Sequence, residues 1–212
     1  MNLFHRRFCN SGMWRQTMRL HVVPWALEGL DLGPNLLELG PGYGASTDLL
    51  LPRCESLTCV ESDQRLTRSL RTHAGSPNMT VLCGDAAALP IPDSAFNAAV
   101  CFMMLHHVTP APRQDQLFAE AFRVLRPGGV FAGADSPASP LLTALHLFEK
   151  VSMVDPHPLP RRLEAAGFED VQVDITRFAF RFRARKPLQN PDNHAKAAQA
   201  ESGLSAAPPL PA

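Results

Sequence analysis

The sequence carries no net charge: twenty Lys and Arg side chains are matched by twenty Asp and Glu. Without a surplus of cations there is no field to steer a polyanion, which argues against a dedicated nucleic-acid binder. No apolar run approaches the roughly 18 residues of a membrane-spanning helix. The N-terminus, MNLFHRRFCNSGMWRQTM, is basic but lacks the apolar core of a secretion signal. Cysteine is scarce: Cys9, Cys54, Cys59, Cys83 and Cys101 are odd in number and show no CxxC spacing. Three of them lie in or beside apolar runs, as small buried hydrophobes of a reducing, cytoplasmic protein do, so a structural zinc site is not expected. There is one tyrosine, Tyr43, and hence no Tyr-x-x-x-Lys pair of the kind that oxidoreductases use. No internal repeat is evident.

What the sequence does have is alternation. Residues 11–30 show helical periodicity, with Trp14, Met18, Val22, Trp25 and Leu27 near one face, and Pro24 placed to kink or divide it. From Asn35 onward, short apolar runs (NLLELG, SLTCVES, NMTVLCGD, NAAVCFMMLHH, GGVFAGADS) alternate with helix-like stretches such as DQRLTRSLRTHAG and RQDQLFAEAFRVL. Five such strands separated by helices imply a parallel sheet covered on both faces. LLTALHLFEKV and LPRRLEAAGF read as further helices, and EDVQVDIT and RFAFRFRAR as alternating strands that close the sheet. The expected organisation is a helical extension over 1–30, an α/β domain over 31–186, and a disordered tail over 187–212, which has no aromatic residue. The expected fold is a Rossmann-like three-layer α/β/α sandwich with a mostly parallel seven-stranded sheet whose last strand is antiparallel.

The stretch LLELGPGYGAS, Leu36 to Ser46, follows the first strand. Gly40, Gly42 and Ala45 satisfy the dinucleotide-binding spacing, with Glu61 about 20 residues on as a ribose acid. A loop that merely turns and binds nothing would also need glycine. Three features favour a different ligand. Glu38 would repel a pyrophosphate but suits an ammonium group. The third glycine is Gly44, which is not the pyrophosphate spacing. Asp85 follows the third strand, where it can accept from an adenine amine. A ligand with an ammonium, a ribose diol and an adenine amine, and no phosphate, is S-adenosylmethionine.

LLELGPGYGAS, CVESD, LCGDAAALPIPDSAFNAAVCFMMLHHV and EAFRVLRPGGVF resemble, in order, the motifs of class I S-adenosylmethionine-dependent methyltransferases, most closely the type 11, small-molecule-like branch. The likeness covers Asn35 to about Ser136. It implies that Glu38 and the backbone of Gly40, Pro41, Gly42, Tyr43 and Gly44 hold the methionine part. Glu61 would take the ribose hydroxyls, with Ser62 beside the adenine. Asp85 and the Ala86 amide would read the adenine edge, and the fourth-strand backbone at Cys101 would meet the methionine moiety. Asn97 departs from the aspartate common in relatives, at the end of the strand remote from the reaction. The chain also lacks the N/D-P-P-Y/F tetrapeptide used to methylate base amines.

A sulfonium is already an excellent methyl donor, so alignment of a nucleophile is the protein's main task. A base helps only where the acceptor must lose a proton. His106 and His107, after the fourth strand, are the candidates; alternatively they hydrogen-bond backbone or pack beneath the cofactor. Asp135 is a weaker candidate that would equally cap the next helix. His146, Asp155 and His157 have no compact ligand spacing, so no metal is expected. Leu141, Leu142, Leu145, Leu147 and Phe148 would form an apolar lid or a core helix, the first implying a small lipophilic acceptor. His5, Arg6 and Arg7 either approach an anionic substrate, give weak peripheral membrane contact, or belong to a frayed end; alternatively an aromatic N-terminal helix with Trp14 and Trp25 covers the active site. The expected function is therefore cytoplasmic methyl transfer to a small molecule, with no nucleic-acid partner. An NAD(P)-binding oxidoreductase and a non-catalytic cofactor-binding scaffold are the alternatives.

Overall fold

A computed structural model describes residues 3–73, 76–147 and 149–188. Residues 189–212 of the expected tail, and Phe148 of the apolar stretch, lie outside the described residues. The apolar runs become β1 (Asn35–Leu39), β2 (Ser56–Glu61), β3 (Met79–Cys83), β4 (Phe96–Phe102) and β5 (Leu125–Asp135), followed by β6 (Glu169–Ile175) and β7 (Phe180–Arg185). They form one sheet of seven strands in the order β3-β2-β1-β4-β5-β7-β6. β1 to β5 are mutually parallel, and β7 runs antiparallel to both β5 and β6. The strand order reverses between β1 and β4, and at such a switch point the loops leaving the strands part and open a crevice.

Both faces of the sheet are covered, and the side chains divide by the two-residue period of the strand. Leu37, Leu39, Ala99 and Cys101 pack toward α6 (Pro112–Val124) and α8 (Leu159–Ala165). Leu36, Ala98, Val100 and Phe102 pack toward the opposite layer. That layer holds α4 (Thr47–Leu50), α5 (Gln64–His73) and the N-terminal helices. β7 shows the same alternation. Phe180, Phe182 and Ala184 are buried, while Arg181 bridges to Asp174 at 2.7 Å and to Glu28 at 3.0 Å and stacks on Trp25.

The N-terminal helices are α1 (Leu3–Cys9), α2 (Gly12–Thr17), a π-turn over Met18–Val22, and α3 (Val23–Ala26). Just before Pro24 the helix widens by one residue, with the Val23 N–H bonded to the Met18 carbonyl. Proline has no N–H and crowds the preceding turn; a local π-turn makes room for its ring without interrupting the helix. Met18, Val23 and Ala26 are buried by this arrangement.

Three expectations are corrected. Cys83 is exposed, because it ends the edge strand β3. The helix expected over LLTALHLFEKV is only α7 (Pro140–Leu145); it stops at His146, and Leu147 is exposed rather than packed as core. Asp135 does not cap that helix: Ser139 does, accepting from the Leu142 N–H at 3.1 Å. Asn97 sits at the far end of β4, where its side-chain oxygen accepts from the Asn35 backbone N–H at 3.1 Å, a purely local tie between neighbouring strands.

Candidate active site

β1 delivers the chain to a turn in which Gly40, Gly42 and Gly44 have φ of 64°, 58° and 78°. For any other L-residue that conformation costs about 1–2 kcal/mol. A Cβ on Gly40 would stand 2.9 Å from Met104, whereas one on Gly42 would meet nothing within 4 Å. The open side of Gly42 faces a cavity of 470 Å³, lined among others by Gly40, Glu61, Asp85, Met103, Met104 and His107. This is within the usual range of small-molecule sites, roughly 300–1,000 Å³.

Glu61 ends β2 with 7% of its surface exposed. Its carboxylate accepts from the Gly42 N–H at 3.0 Å and the Asp63 N–H at 2.9 Å, so β2 and the glycine loop are tied at the cavity floor. Pro41, Tyr43, Ser62 and Ala86 also line the cavity. Asp85 stands at its rim, where one oxygen accepts from the Ala87 N–H at 2.9 Å and the other pairs with Arg113.

Of the residues expected to hold the cofactor, Glu38, Gly44 and Cys101 are not among those lining the cavity, nor are His106 and Asp135 of the catalytic candidates. Glu38 is 1% exposed and turned toward the start of α4. The Ser46 hydroxyl donates to Oε1 at 2.5 Å and the Thr47 hydroxyl to Oε2 at 2.6 Å. Ser46, not Glu38, lines the cavity. Burial raises the Glu38 pKa, against the lowering effect of those hydroxyls. Cys101 is wholly buried in β4, and its neighbours Phe102, Met103 and Met104 form the wall instead. His106 is 3% exposed; its Nδ1 lies 2.6 Å from Asp135 Oδ1, and its backbone N–H donates to Asp135 Oδ2 at 3.2 Å. His107 does line the cavity, and burial together with the neighbouring histidines pushes its pKa down to about 2.

The wall that linear spacing does not reveal comes from the N-terminus. His5, Cys9, Trp14 and Met18 all face the cavity. Arg6 Nε donates to the Tyr43 hydroxyl at 3.4 Å, Arg15 donates to the Tyr43 carbonyl at 3.1 Å, and Arg15 also pairs with Asp48 at 3.3 Å. α1 and α2 are thereby fastened over the glycine loop. Of the two tryptophans expected on a covering helix, Trp14 lines the cavity and Trp25 does not; the amphipathic pattern alone does not fix which residues face it. Elsewhere, Asp155 accepts from the His157 N–H at 3.0 Å in a local turn.

Among the described residues the cavity is walled by three carboxylates, Glu61, Asp63 and Asp85, and by one guanidinium, Arg113, which is itself engaged by Asp85. Such a donor set fits an adenosyl group bearing hydroxyls and amines and disfavours a pyrophosphate. Gly42 supplies the close backbone approach. The fold and site thus define a class: a doubly wound α/β protein with a phosphate-free nucleoside cavity at its switch point.

Comparison with known proteins carries this to a family. Residues 37–133 match the family described as a methyltransferase domain. The chain is 31% identical over 162 residues to a "probable S-adenosylmethionine-dependent methyltransferase" of Mycolicibacterium smegmatis, covering 71% of this chain and 58% of that protein. It is 30% identical over 156 residues to the malonyl-[acyl-carrier protein] O-methyltransferase of Methylococcus capsulatus, covering 68% and 56%. The match thus spans somewhat over half the length of these relatives. A Pyrococcus horikoshii protein of solved structure superposes with a TM-score of 0.74 at 18% identity, over 88% of this chain and 99% of that one, a likeness of fold. Residues 37–133 thus carry a methyltransferase domain, similar to that of S-adenosylmethionine-dependent methyltransferases.

Proposed function

We propose that the protein transfers a methyl group from S-adenosylmethionine to a small-molecule acceptor by direct in-line displacement. The observation that carries this reading is the cavity at the β1/β4 switch point, floored by the Glu61–Gly42 contact and poor in cations. When bound, the cofactor would supply an electrophilic methyl on a sulfonium, whose sulfur would keep the bonding pair as the acceptor's lone pair takes the methyl.

Glu61, aimed by its backbone donors, would accept from the ribose hydroxyls with its remaining lone pairs. Ser46, oriented by Glu38, meets the ammonium end, so Glu38 is a positioning residue. Asp85 and the Ala86 N–H read the adenine edge. Phe102, Met103 and Met104 give the reacting end an apolar wall, which excludes water and holds the acceptor in line. His107 is a poor general base, because an imidazole whose conjugate acid has a pKa near 2 holds a proton weakly at neutral pH. Alignment is therefore the larger part of the catalysis. A zero net charge and a single lining guanidinium favour a small acceptor over a polynucleotide. Among the described residues no helix is long and apolar enough to cross a membrane.

Calorimetry with S-adenosylhomocysteine tests the cofactor half: the expected result is one site per chain, and absence of heat at high micromolar ligand overturns it. A labelled methyl donor offered with fractionated cell extract tests the acceptor half. A small labelled product supports the reading, and label confined to nucleic acid overturns it.

A further inference from the structure

Four imidazoles meet beside the cavity. His5 comes from α1, His106 and His107 from the turn after β4, and His146 from the residue that ends α7. Ring centroids lie 4.3 Å apart for His5 and His146, 4.2 Å for His106 and His107, and 5.0 Å for His107 and His146. One nitrogen each of His5, His107 and His146 falls within 4.8 Å of the other two.

The hydrogen bonds fix how two of the rings point. His146 Nδ1 is 2.7 Å from the Leu142 carbonyl, and His106 Nδ1 is 2.6 Å from Asp135. Both partners only accept, so both Nδ1 atoms carry hydrogen and, in neutral rings, both Nε2 atoms carry lone pairs. Those Nε2 atoms face each other at 3.2 Å. Two bare lone pairs at that distance repel; against the effect of burial Asp135 raises the His106 pKa, so a proton on His106 bridges the two rings unless a cation replaces it. For a tetrahedral ion with metal–nitrogen bonds of 2.0–2.1 Å, neighbouring nitrogens stand about 3.3 Å apart. A carboxylate also stands behind two of the rings, Asp135 behind His106 and Glu149 behind His5 at 3.0 Å. Outer carboxylates of this kind orient metal-bound imidazoles and raise their basicity.

We propose that this cluster is a binding site for one divalent transition-metal ion of the zinc type, held by His5, His107 and His146, with the His106 Nε2 closing it from the β4 side. An all-imidazole set selects such ions over magnesium or calcium. The ligands come from three separated segments, so the ion ties α1 across the mouth of the cavity. His5 and His107 line that cavity, so the four-imidazole site forms part of its wall. Binding of the ion does not rest on the methyltransferase reading.

The test uses full-length protein without a histidine tag, stripped with a chelator and titrated with cobalt(II) alone, then with zinc(II) as competitor. The expected result is one cobalt ion per chain, with the intense visible absorption of a four-coordinate nitrogen site, displaced by zinc. His107→Ala and His146→Ala should each weaken zinc binding at least tenfold. Glu149→Gln removes no ligand but should weaken it by about 10–100-fold through loss of the outer carboxylate. No cobalt uptake by the wild-type chain, or uptake unchanged in all three variants, overturns the proposal. If the alanine variants fail to fold, Glu149→Gln decides by the same criterion. S-Adenosylhomocysteine binding to the same stripped wild-type preparation separates the two readings: it reports on the cofactor site and owes nothing to the metal.

Discussion

Glu38 and Glu61 both end strands at the same sheet edge, yet their surroundings differ, and so do their consequences. Glu38 is buried against two hydroxyls, and burial holds its folded pKa above the ordinary carboxylate value of 4.5. A carboxyl with a raised folded pKa binds its proton more tightly when folded. Its stabilising contribution is complete below pH 4.5 and is lost as the pH rises through the folded value. Glu38→Gln keeps the shape and cannot ionise. Denaturant melts at pH 5 and pH 8 should show a smaller fall in stability for the variant than for the parent; an equal fall would mean that Glu38 does not titrate in this range. Glu61→Ala leaves the Gly42 and Asp63 N–H groups without their acceptor and removes the group offered to a ribose diol. The expected loss of S-adenosylhomocysteine affinity is about 2 kcal/mol, or roughly thirtyfold, measured by calorimetry. That acids end β1, β2 and β3 is legible in the sequence. Their orientation is less so: period two puts Glu38 on the Leu36 face, but only the fold brings Ser46 and Thr47 to it.

Between β4 and β5 the spacing of the sheet is set by a missing side chain. A Cβ on Gly133 would stand 2.2 Å from the Cys101 carbonyl and 2.9 Å from the Phe182 ring. The carbonyl belongs to a paired strand and cannot move aside, so Gly133→Ala should destabilise the protein by on the order of 3 kcal/mol or more, read as a drop in the denaturant midpoint. A loss below about 1 kcal/mol would mean that the strands part more easily than close packing allows. The strands themselves are legible because each is a short apolar run between turn residues, and the helix of 112–124 because its periodicity is long and clear. The region after β5 is not. LLTALHLFEKV has a helical pattern, yet the helix ends at His146, whose ring is drawn into the imidazole cluster and whose Nδ1 returns to the Leu142 carbonyl. Side-chain contacts made elsewhere in the chain override the local period. The N-terminal helices pose the same problem. Their amphipathicity is evident, but their position over Tyr43 depends on Arg6 and Arg15 reaching residues 37 and 28 positions away. Deleting residues 1–12 removes His5, Arg6 and Cys9 from the site while leaving Arg15, and stopped-flow should show S-adenosylhomocysteine leaving faster than from the intact chain.

At the scale of the whole molecule, the contact between His5 and Glu149 joins residues 144 positions apart and connects the first helix to the segment after β5. No local pattern encodes it, which is why the sheet and its cofactor loop can be read from the sequence while the histidine cluster cannot. The cluster also makes a thermodynamic prediction. An ion that binds only the folded chain stabilises it by RT ln(1 + [L]/Kd), about 2.7 kcal/mol at one hundred times Kd. For a chain of this size each kcal/mol moves the melting temperature by about 2–4 °C, so zinc at that excess should raise it by roughly 5–10 °C. The shift should shrink markedly in the chain lacking residues 1–12, which has lost His5, and in His146→Ala. S-Adenosylhomocysteine should stabilise the wild-type chain as well, through Glu61 and the glycine loop. The two ligands share one wall of the cavity at His107 but engage different atoms, so their effects should add to within a few tenths of a kcal/mol. A combined shift clearly smaller than the sum would mean that ion and cofactor compete for the same space. A larger one would mean that each closes the N-terminal helices over the other, and that binding of the first is linked to affinity for the second by the same factor in both directions.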